Sequence, residues 1–171
     1  EAVQQAVVIT HNNTEAVAGA TAVAYMVARS ARGDLDLDTA IKDTREFIGN
    51  SAVSRNLAKA ETLLKDRENI KPEEALELLG TSGYVVETVA SAAFCFLFTP
   101  RDFKSTVVNA VLGGIDADTT AAVAGAISGA FNGLNGIPQN WVKELENREL
   151  LASMASKLYG MCKEGGRVKH T

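Results

Sequence analysis

Asp116, Asp118 and Thr119 stand close together in the stretch Gly113-Gly114-Ile115-Asp116-Ala117-Asp118-Thr119-Thr120. Two carboxylates and a hydroxyl supply hard oxygen donors of the kind that Mg2+ or Mn2+ takes. Gly113 and Gly114 let the backbone turn freely and approach a ligand. The same residue types also suit a plain helix N-terminus, where acids cap free N–H groups and face the positive end of the dipole. Oxygens from one segment do not complete a coordination shell. The other ligands must come from elsewhere in space or from water.

The helix that follows must hold these acids in place. From Thr119 to Trp141 there is no charged side chain, so the helix is expected to be buried. Ala121, Gly125, Gly129 and Gly133 recur along one side, and Val123, Ile127, Phe131 and Leu134 along the other. The bare side should let a neighbouring helix come close and fix the aspartates. A run this long could cross a bilayer. Asn132, Asn135, Pro138, Gln139 and Asn140 in its second half point instead to a core helix followed by a loop, with no membrane partner.

Helical spacing dominates the rest of the chain and β alternation is scarce. Ala2, Val3, Ala6 and Val7 fit a helix already under way at Glu1. It stops at Thr10-His11-Asn12-Asn13-Thr14, where Asn13 or Thr14 can cap the next helix and Glu15 suits its first turn. That helix runs to about Arg32 and ends at Gly33. Asp38 to Ile48 and Ala52 to Leu64 read as amphipathic helices. Pro72 opens another that Gly80 closes. Thr81-Ser82-Gly83-Tyr84 is a polar loop leading into VVETVASAAFCFLF, a strongly apolar helix with Glu87 as its one charge. Thr99 is expected to cap a further helix with Pro100 at its first position and Asp102 completing a box. After the break at Gly136-Ile137-Pro138, a final helix is expected from Trp141 to Met161, with a frayed tail from about residue 162. This gives eight or nine helices in a single domain over 1–171, of the all-α class.

The bulk properties narrow the function. The 171 residues are 46% hydrophobic and 22% charged, with a net charge of −4. No basic patch stands out, so nucleic acid is not expected as a partner. Cys95 and Cys162 lie far apart and outside any CxxC, which reads as buried reduced thiols and a cytoplasmic location. No GxSxG is present and there are two histidines, one of them His170 in the tail, so a Ser/His/Asp nucleophile has no support. The DxDxT spacing resembles the first motif of haloacid-dehalogenase-like phosphatases. In those it follows a β-strand, whereas VVNAVLGG here continues a helix.

A wider pattern carries a more specific resemblance. Gly114-Ile115-Asp116-Ala117-Asp118-Thr119 followed by AAVAGAISGAFNGLNGIPQNW is similar to the C-terminal signature of the ADP-ribosylglycohydrolase family: a glycine turn, DxDT, a Gly/Ala helix, then Ile-Pro and Trp. Upstream, Thr10-His11 resembles the family's TH turn before an Ala-rich helix. Gly80-Thr81-Ser82-Gly83-Tyr84-Val85-Val86-Glu87-Thr88 resembles its glycine-rich turn into an apolar helix. The match runs in order from about Glu1 to Trp141.

The resemblance implies an all-α ADP-ribosylglycohydrolase-like orthogonal helical domain and a site with two divalent cations, Mg2+ or Mn2+. It implies hydrolysis of the glycosidic bond between ADP-ribose and a modified protein side chain. Asp116, Asp118 and Thr119 would inherit the metal-binding role. His11, Tyr84, Gly113 and Gly114 would inherit places at the ADP-ribose pocket. Without the resemblance, His11 reads equally as a turn residue bonded to backbone or as a substrate contact. Family members are roughly twice this length, and the second metal motif and the catalytic acid belong to their first half. The expectation is therefore a C-terminal half that carries one side of a binuclear site and pairs with the other half or with itself. An inactive structural or ADP-ribose-binding module of the same fold is the alternative. Ile115 departs from the glycine usual in the family before the first aspartate.

Overall fold

The computed structural model describes the backbone of residues 1–165 and the side chains of residues 1–161. The side chain of Cys162, the tail beyond Gly165 and His170 lie outside the described residues. Those described residues contain ten α-helices, one 3-10 turn and no β-strand, as expected for an all-α chain. The chain divides into two compact units, 1–137 and 138 onward.

The first unit is built around one helix, Val85–Phe98 (α6 in chain order). Every residue from Thr88 to Leu97 is buried. An apolar helix with one charge cannot show a face to water, so other helices surround it. They are α2 (Thr14–Arg32), α4 (Ala52–Lys65), α5 (Pro72–Leu79), α7 (Phe103–Leu112) and α8 (Ala117–Asn132). Phe94 and Phe96 form the core with Met26 of α2, Leu57 of α4, Leu76 of α5 and Ile127 of α8. The remaining helices, α1 (Ala2–Val7) and α3 (Ala40–Ile48), pack against α2.

Polar side chains tie the helix ends together. Asn13 caps α2 by accepting from the Ala16 N–H at 2.8 Å. Glu15, in the first turn of α2, also reaches the start of α4, where Ala52 and Val53 donate to its carboxylate at 2.9 and 3.0 Å. Gly33 ends α2 with a left-handed φ of 73°. Cys95 is fully buried, and burial pushes its thiol up to about 12, so it is an inert packing residue.

Three expectations need correction. The cap of α7 is Asp102, not Thr99. The Asp102 carboxylate accepts from the Ser105 N–H at 3.0 Å and its hydroxyl at 2.6 Å. An aspartate so placed is a stronger cap than a threonine three residues earlier, and Pro100 sits in the preceding turn. The final helix is interrupted: the second unit holds α9 (Gln139–Glu144) and α10 (Arg148–Gly165), separated at Leu145–Asn147, where Asn147 has φ 55°. Finally, α8 is not buried all round. Its buried residues are Thr120, Ala124, Ile127 and Ser128, while Ala122 and Ala126 are exposed.

The bare side of α8 does face a helix, α7, through Phe103 and Val107. The approach is not tight. A β-carbon on Gly125 would meet Val107 at 3.5 Å and one on Gly129 would meet Phe103 at 3.6 Å, which is ordinary contact. Gly19 of α2 differs, since a β-carbon there would collide with the Val85 side chain. The expected outcomes therefore have opposite signs. Gly125→Ala and Gly129→Ala should each raise stability by about 0.5–1 kcal/mol through helix propensity. Gly19→Ala should lower it by about 1–3 kcal/mol through overpacking. Urea unfolding of the three variants checks both.

Candidate metal and substrate site

The aspartate turn is held by a loop far away in sequence. Asp116 is half-buried, and its N–H donates to the Thr81 carbonyl at 3.0 Å. The Thr81 hydroxyl donates to the Gly113 carbonyl at 3.1 Å. One buried threonine thus grips both ends of the turn. Gly83 of the same loop lies against Asp116, and a β-carbon there would strike Asp116 Oδ2. Its φ of 83° is also one that other residues rarely adopt.

The loop is itself fixed. Asn56, buried on α4, donates to the carbonyls of Leu79 and Val86 at 3.0 Å each, bracketing residues 80–84. Ser91 Oγ donates to the Gly80 carbonyl at 2.7 Å. The Glu87 carboxylate accepts from the Ser82 N–H at 2.9 Å and the Ser82 hydroxyl at 2.6 Å.

Within the turn, Thr119 Oγ1 donates to Asp116 Oδ1 at 2.9 Å and Thr120 Oγ1 donates to the Asp116 carbonyl at 3.1 Å. Asp118 is exposed. Its carboxyl is held below the usual carboxylate range, first by a side-chain hydrogen bond with Asp116, then by the backbone N–H groups of Thr119 and of Asp118 itself. Two carboxylates two residues apart are like charges, and a cation held by both relieves their repulsion. An oxygen-only donor set, with Gly83 letting Asp116 Oδ2 pack against its backbone, fits a hard divalent cation. Among the described residues no group of three or more His, Cys, Asp or Glu side chains is placed to hold a metal ion.

A cleft of about 670 Å3 opens next to this turn. Thr10 and His11 line one part of it, Gly83 and Thr119 another, and its floor is apolar, with Val23, Val27, Val89 and Val123. His11 is exposed, and its Nδ1 shares a 3.0 Å hydrogen bond with Thr10 Oγ1, which leaves Nε2 as the ring's other bonding atom. Thr88 also lines the cleft, and its hydroxyl is buried without a hydrogen-bond partner. The structure therefore brings His11 and Thr119 to one cleft. Tyr84 is 53% exposed at the start of α6 and does not line it. Gly113 packs against Leu76 and Thr81, and Gly114 is exposed with φ 66°.

Sequence reasoning missed Asn56, the Thr81 hydroxyl and the Thr88 hydroxyl. Asn56 left a trace: it lies beside Val53, Leu57 and Ala60 on the buried side of an amphipathic helix. A polar residue on that side needs partners. Thr81 and Thr88 left none, because the acceptor in one case and the cleft in the other come from remote segments.

A family model described as ADP-ribosylglycohydrolase matches residues 1–167. The chain belongs to the ADP-ribosylglycohydrolase family. It is 33% identical over 151 residues to an uncharacterized protein of Archaeoglobus fulgidus, a match covering 88% of this chain and 48% of that protein. It is 32% identical over 138 residues to ADP-ribosylhydrolase ARH3 of Homo sapiens, covering 74% of this chain and 38% of the relative. ADP-ribosylarginine hydrolase Tri1 of Serratia proteamaculans is 32% identical over 92 residues, or 54% of this chain and 25% of that protein. The chain thus spans half or less of the length of these relatives.

Ile115, which departs from the glycine of the resemblance, carries an energetic cost that nothing in the structure explains. Its φ is 51° and its side chain is 86% exposed. A β-branched residue in the left-handed region is strained by about 1–3 kcal/mol. It has no burial to offset that. Glycine would relieve the strain at an entropic cost of about 0.5–1 kcal/mol. Ile115→Gly should therefore raise stability by about 1 kcal/mol, or about 2–4 °C in Tm for a chain of this size, measured by thermal unfolding.

Proposed function

We propose that this chain is part of a metal-dependent hydrolase that releases ADP-ribose from a modified protein side chain. Family membership supports the reaction class. The observation that carries the reading is the convergence of His11, Gly83 and Thr119 on one cleft, with Asp116 packed against Gly83. Asp116, Asp118 and Thr119 would hold Mg2+ or Mn2+. A bound divalent cation supplies charge neutralisation, orientation of hydroxyl groups and a more acidic water. The chain's own residues do the rest. The apolar floor strips water from what enters, and His11 Nε2 offers a hydrogen bond at the rim.

In this reading the described residues contribute one side of a binuclear site. The remaining ligands and the catalytic acid come from polypeptide beyond them. ADP-ribosylated protein is the substrate, and the acceptor is a protein side chain. Calorimetric titration should show Mn2+ binding that Asp116→Asn and Asp118→Asn each weaken at least tenfold. ADP-ribose release from a modified protein, assayed with and without the complementing half of a family member, should disappear in the double variant. Release that survives loss of both aspartates contradicts the proposal. Binding of Mn2+ and ADP-ribose with no release under either condition would favour the inactive module instead.

A further inference from the structure

The cation ligands lie on a short exposed turn, and such turns are ordinarily loose. Its second half is already helical, since Asp118 and Thr119 open α8 and the Thr119 and Thr120 hydroxyls bond Asp116, but the lead-in to Asp116 is not. Gly114 and Ile115 both have positive φ, and Asp118 and Thr119 are exposed. What fixes it is the 80–84 loop, and Thr81 is the contact through which that loop acts. Thr81 is 5% exposed. Its carbonyl accepts the Asp116 N–H at 3.0 Å and its hydroxyl donates to the Gly113 carbonyl at 3.1 Å, so the segment between them is closed from both sides. Its methyl group, with Leu76, crowds the place a β-carbon on Gly113 would take, 3.0 Å from it.

Behind Thr81 the support is continuous. Asn56 holds the carbonyls that flank the loop, Ser91 holds Gly80, and Glu87 holds Ser82. All of these groups sit on α4 or α6, the most buried part of the fold. Gly83 then sets how near the loop can come to Asp116 Oδ2. The backbone position of Asp116 is thus set from core helices that carry no ligand themselves, while its carboxylate accepts from Thr119 alongside it.

We propose that Thr81 is the positioning residue of the cation site, acting through Asp116 and Gly113 without touching the metal. The proposal rests on the reading of Asp116, Asp118 and Thr119 as cation ligands. Groups that orient metal ligands are typically worth about 10–100-fold in metal affinity. Removing the Thr81 hydroxyl leaves the Gly113 carbonyl without its partner, and the turn gains freedom that cation binding must then remove.

The test uses Mn2+ alone as the probe, with binding followed by electron paramagnetic resonance on the wild-type chain, T81V, T81S and Asn132→Ala. T81V keeps the shape of threonine and loses the hydroxyl, so it should bind Mn2+ about tenfold more weakly. T81S restores the hydroxyl and should stay within about twofold of wild type by the same reasoning. Asn132→Ala removes hydrogen bonds to Pro100 and Ser128 at the far end of α8. It should lower Tm and leave Mn2+ affinity unchanged, which separates positioning from general loss of stability. If T81V does not fold, Gly83→Ala reads the same coupling, because its β-carbon must displace the Asp116 carboxylate and so weaken binding. Wild-type affinity in T81V, or in Gly83→Ala, overturns the proposal. A wild-type chain that binds no Mn2+ overturns the ligand assignment itself and the positioning role with it.

Discussion

The hydrogen bond from the Asp116 N–H to the Thr81 carbonyl joins the two segments on which the site depends. One segment begins α8 and carries the oxygen donors. The other begins α6 and carries none. A backbone bond of this kind contributes only about 1 kcal/mol net. Its importance lies in what stands behind it. The loop at Thr81 is the N-terminal end of a helix surrounded by the rest of the core, so its position is over-determined by packing. Joining the aspartate turn to that loop gives an exposed turn the positional definition of a buried one.

The same constraint explains why polar side chains are placed where they are. An apolar helix such as α6 packs without directional preference, and burial of Phe94 and Phe96 alone would tolerate small slips along its axis. Asn56, Ser91 and Glu87 set the register of its first turn through specific acceptors and donors. Glu15 does the same between α2 and α4, and in doing so anchors the end of α2 next to His11. Two kinds of interaction therefore divide the work: apolar burial supplies stability, and a few buried polar contacts supply position. Ile115 runs against this economy. It is strained and exposed, and nothing in the structure offsets the strain.

Much of this is legible in the sequence. The oxygen-rich spacing of Asp116, Asp118 and Thr119, the breaks at Gly33 and Gly80, and the apolar run of α6 are local features, and local chemistry determines them. The all-α class followed from helical periodicity over most of the chain. The errors also have physical causes. Thr99 looked like a cap because its local sequence fits one, but Asp102 competes for the same helix start and wins with a charged acceptor. The absence of charge in α8 suggests complete burial, which the structure does not show. Alanine and glycine are small enough to be exposed at little cost, so lack of charge does not settle which side faces water. The Thr81 grip and the Thr88 hydroxyl could not be read at all, because each depends on which remote segment lies opposite.

The central claim is that the turn at Asp116–Thr119, set by the loop at Thr81, is shaped to hold a divalent cation. Anomalous diffraction from crystals of this chain grown with Mn2+ tests it most directly. The account predicts a Mn2+ peak at about 2.0–2.3 Å from oxygens of Asp116, Asp118 and Thr119, with the Asp116 N–H still bonded to Thr81. A fully occupied Mn2+ elsewhere and none at this turn would contradict it.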